Sequence, residues 1–225
     1  MKIVIVCTYI FISLINVAFG KSILVIGDSH LAGPFGLTLD GLLRQNKSDE
    51  VRTYGVCGAR ATSFAHVARM VGVRHTTCGY FERTLQTRIL TSRPSSAPSL
   101  KTLLKHPTDY LIVALGTNYV NEENFLSMIL DTSEIFDLLV KFSPQTKCLW
   151  IGPPNIRRYQ LKIYQINRIL KNFIGHECEY FDSYALTKYP EHGGDGIHFA
   201  GNEQREQVAE AWAQMAFERF SNFAQ

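Results

Sequence analysis

Charge is scarce in this chain. Only 19% of its 225 residues are charged, and the net charge is +3, too mild a positive balance to argue for nucleic-acid binding. Apolar residues make up 46%, which excludes both a disordered polymer and a bundle of membrane spans. No segment repeats another. There are only five cysteines, none of them paired at zinc-ligand spacing, so no metal site is expected. No exposed apolar lid stands out, which argues weakly against a lipid substrate.

The first twenty residues read as an export signal. Lys2 supplies a short positive start, and Ile3 to Ile15 is apolar apart from Thr8 and Ser13. Ala18-Phe19-Gly20 offers small residues for a signal peptidase, so cleavage is expected after Gly20. The alternative is an uncleaved anchor, because the apolar run is slightly long. Residues 21–225 are then one catalytic domain of about 200 residues, enough for a single large core. The expected location is secreted or periplasmic, with no stable membrane span after cleavage. Cys57, Cys78, Cys148 and Cys178 remain in the mature chain, an even number that suggests two disulfides. Of three connectivities, proximity favours Cys57–Cys78 and Cys148–Cys178. Asn46-Lys47-Ser48 is a glycosylation sequon if the source is eukaryotic.

Ser22 to Ile26 is a continuous apolar run, the mark of a strand buried on both faces. Further strands are expected over Val51 to Val56, Asp109 to Leu115, Lys147 to Ile151 and Glu179 to Phe181. Between them lie helical patterns. Phe35, Leu39, Leu42 and Leu43 recur at helical spacing, Phe64 to Val71 reads as a short helix, and a long helix is expected over Asn121 to Phe142. That helix turns Phe125, Ile129, Ile135, Phe136 and Leu139 inward, with Pro144 just past its end. Arg158 to Phe173 and Glu203 to Phe220 complete the set. Such alternation means βαβ units: an α/β fold, a five-stranded, mainly parallel sheet between two helical layers. Chemistry in such sheets gathers at the carboxyl ends of the strands.

Four short segments sit at those ends. Gly27-Asp28-Ser29 follows the first strand and precedes a helix, so the Ser29 hydroxyl lies at the open edge and its amide at a helix start. Read alone, Ser29 is equally a helix cap. Gly58 follows the second strand, and Gly116-Thr117-Asn118 the third. A backbone amide at Gly58 and the Asn118 side chain can each donate to a developing oxyanion. Asp195-Gly196-Ile197-His198 precedes the last helix. A histidine can take the proton of a serine, and an aspartate three residues earlier can fix its tautomer.

In this order the segments resemble the SGNH/GDSL hydrolase family over nearly the whole mature chain, and Trp150-Ile151-Gly152-Pro153-Pro154 looks like the family too. The resemblance implies Ser29 as nucleophile, His198 as base and Asp195 as its orienter. It implies the Ser29 amide, the Gly58 amide and the Asn118 side chain as oxyanion donors, a flavodoxin-like sheet and no cofactor. Two positions depart from the usual pattern: His30 where many members carry leucine, and Tyr119 where many carry aspartate. The Gly27-Asp28-Ser29-His30 form is loosely similar to enzymes acting on O-acetyl groups of cell-wall or exopolysaccharide glycans.

His30, Tyr119 and Arg60 are candidates for contact with substrate. Arg60 opens a basic stretch with Arg69, Arg74, Arg83, Arg88 and Arg93 against the single acid Glu82. Such a stretch can attract an anionic polymer or can simply be a solvated face. Tyr80 and Phe81 can stack on a sugar ring or belong to the core. The expected activity is removal of small acyl groups, acetyl foremost, from a carbohydrate by way of an acyl-Ser29 intermediate. The alternatives are transfer of the acyl group to a sugar hydroxyl, hydrolysis of a lipid or thioester, and a catalytically idle glycan-binding protein on the same scaffold.

Overall fold

The structure is a computed structural model that describes residues 20–66, 79–84, 88–91 and 97–225. The expected export segment and its cleavage therefore fall outside the described residues, apart from Gly20. Among the described residues, no helix is long and apolar enough to cross a membrane.

Among the described residues, seven strands form one sheet in the order β4-β3-β2-β1-β5-β6-β7. These are β1 (Ser22–Gly27), β2 (Glu50–Val56), β3 (Tyr80–Arg83), β4 (Arg88–Thr91), β5 (Tyr110–Ala114), β6 (Lys147–Ile151) and β7 (Glu179–Phe181). The five strands expected from the sequence pair in parallel as β2-β1-β5-β6-β7, the doubly wound order of flavodoxin-like sheets. The expectation of five strands is corrected to seven. The pair β3–β4 adds to the β2 edge in antiparallel sense. Its sequences, YFER and RILT, carry charge and lack an apolar run, which is typical of an edge strand that must not recruit another chain.

Among the described residues, seven helices accompany the sheet: α1 (Pro34–Leu43), α2 (Ala61–Ala65), α3 (Leu100–Leu103), α4 (Leu126–Phe142), α5 (Gln160–Ile174), α6 (Ser183–Leu186) and α7 (Glu203–Phe223). α1 packs on α7, and α2 and α3 pack on α4. With right-handed crossovers these groups occupy opposite faces of the sheet. Phe35 of α1 stacks on Trp212 of α7 with ring centres 3.7 Å apart. α2 begins three residues before the Phe64 expected, and most of the expected Phe64–Val71 helix, from residue 67 on, lies outside the described residues. α4 begins five residues late: Thr117–Tyr119 forms a separate 3-10 turn, and Asn124 Oδ1 accepts the Leu126 amide at the helix start, 3.1 Å away. The inward face of α4 is Met128, Thr132, Ile135, Phe136 and Leu139; Met128, not Ile129, takes the buried position.

Cys148 and Cys178 form the expected disulfide, joining β6 to the entry of β7. Cys57 is also disulfide-bonded, while Cys78 lies outside the described residues.

Register positions the site. Gly27 lies opposite Gly55 on one side and Ala114 on the other, and Ala114 lies opposite Ile151. The segments that follow these residues therefore leave the sheet along one edge.

Candidate active site

Ser29 emerges from the end of β1, nearly buried at 9% exposure. His198 comes to it from the loop before α7. The His198 Nε2 stands 3.0 Å from Ser29 Oγ, and its Nδ1 stands 2.6 Å from Asp195 Oδ2. The other oxygen of Asp195 accepts the amides of Ile197 and His198, both at 2.8 Å. Burial pushes this carboxyl upward, but the His198 amide and ring and the Ile197 amide outweigh it and hold the group at about 2. Asp195 is thus charged at neutral pH and accepts from Nδ1–H. That tautomer leaves Nε2 with the lone pair that accepts the Ser29 hydroxyl.

The loop that carries Asp195 is held by three side chains. Arg157 donates to the carbonyls of Pro190 and Gly193 at 3.1 and 3.0 Å. The Tyr189 hydroxyl donates to the His198 carbonyl and accepts the Gly196 amide. Arg205 donates to the Ala200 carbonyl at 2.7 Å. Gly194 is left-handed at φ 64°, and any side chain there would collide with the Tyr189 hydroxyl. Arg157, Tyr189 and Arg205 escaped the sequence reading, since a side chain that bonds main-chain carbonyls leaves no partner residue to recognise.

The three candidate oxyanion donors lie along the same edge. Among the described residues, neither the Ser29 nor the Gly58 amide donates to another group. One hydrogen of the Asn118 amide goes to the Ala59 carbonyl at 2.9 Å, and the other remains for a ligand.

The candidates for substrate contact fare differently. Tyr119 is 1% exposed, so it is corrected to a core residue; its hydroxyl donates to Asp131 at 2.7 Å and accepts the Ala61 amide at 3.2 Å. His30 is 5% exposed and sits beneath His198, between Phe199 and Trp212; it too is corrected, from a substrate contact to a support. Arg60 spends its charge on Glu122. Tyr80 and Phe81 are buried in β3 and cannot stack on a sugar. Of the basic stretch, Arg69, Arg74 and Arg93 lie outside the described residues, Arg83 pairs with Asp40 at 2.7 Å, and Arg88 is exposed on β4.

Two buried ionisable groups lie under the triad. Burial pushes the Asp28 carboxyl up to about 6, against the His30 amide at 3.0 Å, the His198 ring and Thr117. Burial, helped by the His198 ring and opposed by Asp195, lowers His30 to about 3, and its Nε2 has no partner. Their effects on stability have opposite signs. Below pH 6.5 the unfolded chain takes up a proton at His30 that the folded chain refuses, so stability falls with acidification. Between about pH 4 and 6 the folded chain keeps a proton on Asp28 that the unfolded chain has lost, so that part of the stability falls as pH rises. His30→Leu removes only the first effect. Its stability relative to the wild type is expected to rise by about 2 kcal/mol between pH 7 and pH 5. Urea unfolding at the two pH values measures this; an unchanged difference would show that His30 titrates normally.

No family model matches this chain, and neither does any curated protein. Solved structures do. An acetyl esterase variant with acetate ion superposes with a TM-score of 0.61 at 12% identity, over 91% of this chain and 100% of that one. A peptidoglycan O-acetylesterase gives 0.58 at 11%, over 91% of each chain. A GDSL-like lipase from Bacteroides thetaiotaomicron gives 0.55 at 14%, over 88% of each. At such identities the likeness speaks for architecture alone. With its parallel core in the order β2-β1-β5-β6-β7 and the four segments aligned along one edge, this chain has the SGNH/GDSL hydrolase fold.

Proposed function

We propose that this chain is a serine esterase that removes small acyl groups, acetyl foremost, from a carbohydrate, and that it works outside the cytoplasm after loss of residues 1–20. One observation carries the reading: a single imidazole links the Ser29 hydroxyl to the Asp195 carboxylate, at 3.0 and 2.6 Å.

Ser29 Oγ attacks the ester carbonyl while His198 Nε2 takes its proton. The carbonyl electron pair moves onto oxygen, where the Ser29 and Gly58 amides and the Asn118 side chain donate to it. Collapse breaks the bond to the sugar oxygen, which takes the proton back from His198. Water then repeats the cycle on acyl-Ser29, releasing the acid and the free serine. A carbohydrate as the leaving alcohol is favoured by the architectural neighbours, which include a peptidoglycan O-acetylesterase and a carbohydrate esterase.

Acetylated sugars, acetylated peptidoglycan and long-chain lipid esters, offered to the mature protein, test this. Acetate release from a glycan is expected, together with covalent labelling of Ser29 by a serine-directed phosphonate. Preference for long chains would move the substrate to lipid, and acetyl transfer to added sugar would replace hydrolysis. A folded protein that takes no label would be an idle scaffold.

A further inference from the structure

Two of the three oxyanion donors ride on loops that do not touch through the sheet. Gly58 follows β2 and Asn118 follows β5, and β1 lies between those strands. At strand spacing this separates the loop origins by about 10 Å. Displacing either donor weakens oxyanion binding, so something must fix one loop against the other.

The side chain that does so is Arg60. Its Nε donates to the Asn118 carbonyl at 3.1 Å, and its Nη1 meets Glu122 Oε1 at 2.5 Å. The guanidinium lies 5.0 Å over the Tyr119 ring. The Ala61 amide likewise donates to the Tyr119 hydroxyl, and one bond runs the other way, from Asn118 Nδ2 to the Ala59 carbonyl. The Arg60 amide itself donates to Ser63 Oγ at 3.0 Å, which anchors the guanidinium's own backbone at the start of α2. Each loop is thus bound at or just after its donor: residues 59, 60 and 61 follow Gly58 on one, and residues 118, 119 and 122 begin with Asn118 on the other.

We propose that Arg60 is a positioning residue for the oxyanion site, holding Asn118 and Gly58 at one spacing over Ser29. Its planar fork is suited to this because it bonds a carbonyl and a carboxylate at fixed angles, which a lysine ammonium cannot. This rests on the esterase reading, and it replaces the idea that Arg60 draws in an anionic substrate.

Arg60→Ala, Arg60→Lys and Arg60→Met are compared with the wild type on one neutral and one anionic acetyl ester, with melting temperature followed throughout. The expected result is a drop in kcat of about tenfold to a hundredfold on both esters, with KM nearly unchanged. Arg60→Lys keeps the charge and is expected to lose most of this activity as well. Added guanidinium ion should restore part of the Arg60→Ala rate, and methylammonium should not. Asn118→Ala should cost much less in the Arg60→Ala background than in the wild type, since the two act as a unit. A fall in melting temperature with unchanged kcat would overturn the proposal, as would a rise in KM confined to the anionic ester. A wild type with no Ser29-dependent turnover would remove the esterase reading and this proposal together; a normal wild type with an unaffected Arg60→Ala would remove this proposal alone.

Discussion

Ser29→Ala should lower kcat on a small acetyl ester by about 10⁴- to 10⁶-fold and leave the fold unchanged. The substitution deletes one hydroxyl at a site that is nearly buried, 9% exposed. The bond lost is the one to His198 at 3.0 Å, and a single hydrogen bond of this kind contributes about 1 kcal/mol to stability. Catalysis suffers far more, because among the described residues no other hydroxyl is bonded to the base. His198→Ala should cost about as much, and the double variant little more than either alone, since nucleophile and base act as one device. Steady-state kinetics and thermal melting separate the two effects. Activity close to the wild type in folded Ser29→Ala would end the serine mechanism.

Asp195→Asn is expected to cost about 10⁴-fold in kcat, as loss of the orienting carboxylate does in other triads. One oxygen of Asp195 accepts two backbone amides at 2.8 Å, and the asparagine oxygen is needed there. Its amide nitrogen then faces His198 Nδ1 and can only donate. The imidazole must accept at Nδ1 and carry its proton on Nε2, which removes the lone pair that Ser29 needs. Because the wild-type carboxyl is held at about 2, it stays ionised across the working range. The loss in Asp195→Asn should therefore persist at every pH above about 4, and a rate within tenfold of the wild type would reduce Asp195 to a spacer.

Much of this arrangement is legible in the residues themselves. β1, β5 and β6 show as runs without a polar break in the segments buried on both faces, and the four edge segments follow their strands at readable places. What stays hidden has common causes. The strands of the β3–β4 pair, YFER and RILT, set two apolar residues beside charged or polar ones over four positions each, too short for a period to show. Tyr119 sits where a substrate contact would be sensible, yet Asp131, twelve positions on, claims its hydroxyl. Arg60 reads as surface charge until Glu122 and the Asn118 carbonyl are placed beside it. Position in a motif is a property of the chain; burial and pairing are properties of the packed molecule.

The proton acceptor follows the nucleophile by 169 positions, and it is docked by a last helix lying against the first. During synthesis the serine is made early and waits unarmed while almost the whole molecule is assembled. A chain that stalls before residue 195 has already made every described strand, yet it holds neither Asp195 nor His198, and under the proposed mechanism its serine has no base. On the proposed reading, the order of the segments along the chain by itself keeps half-made protein from cleaving esters.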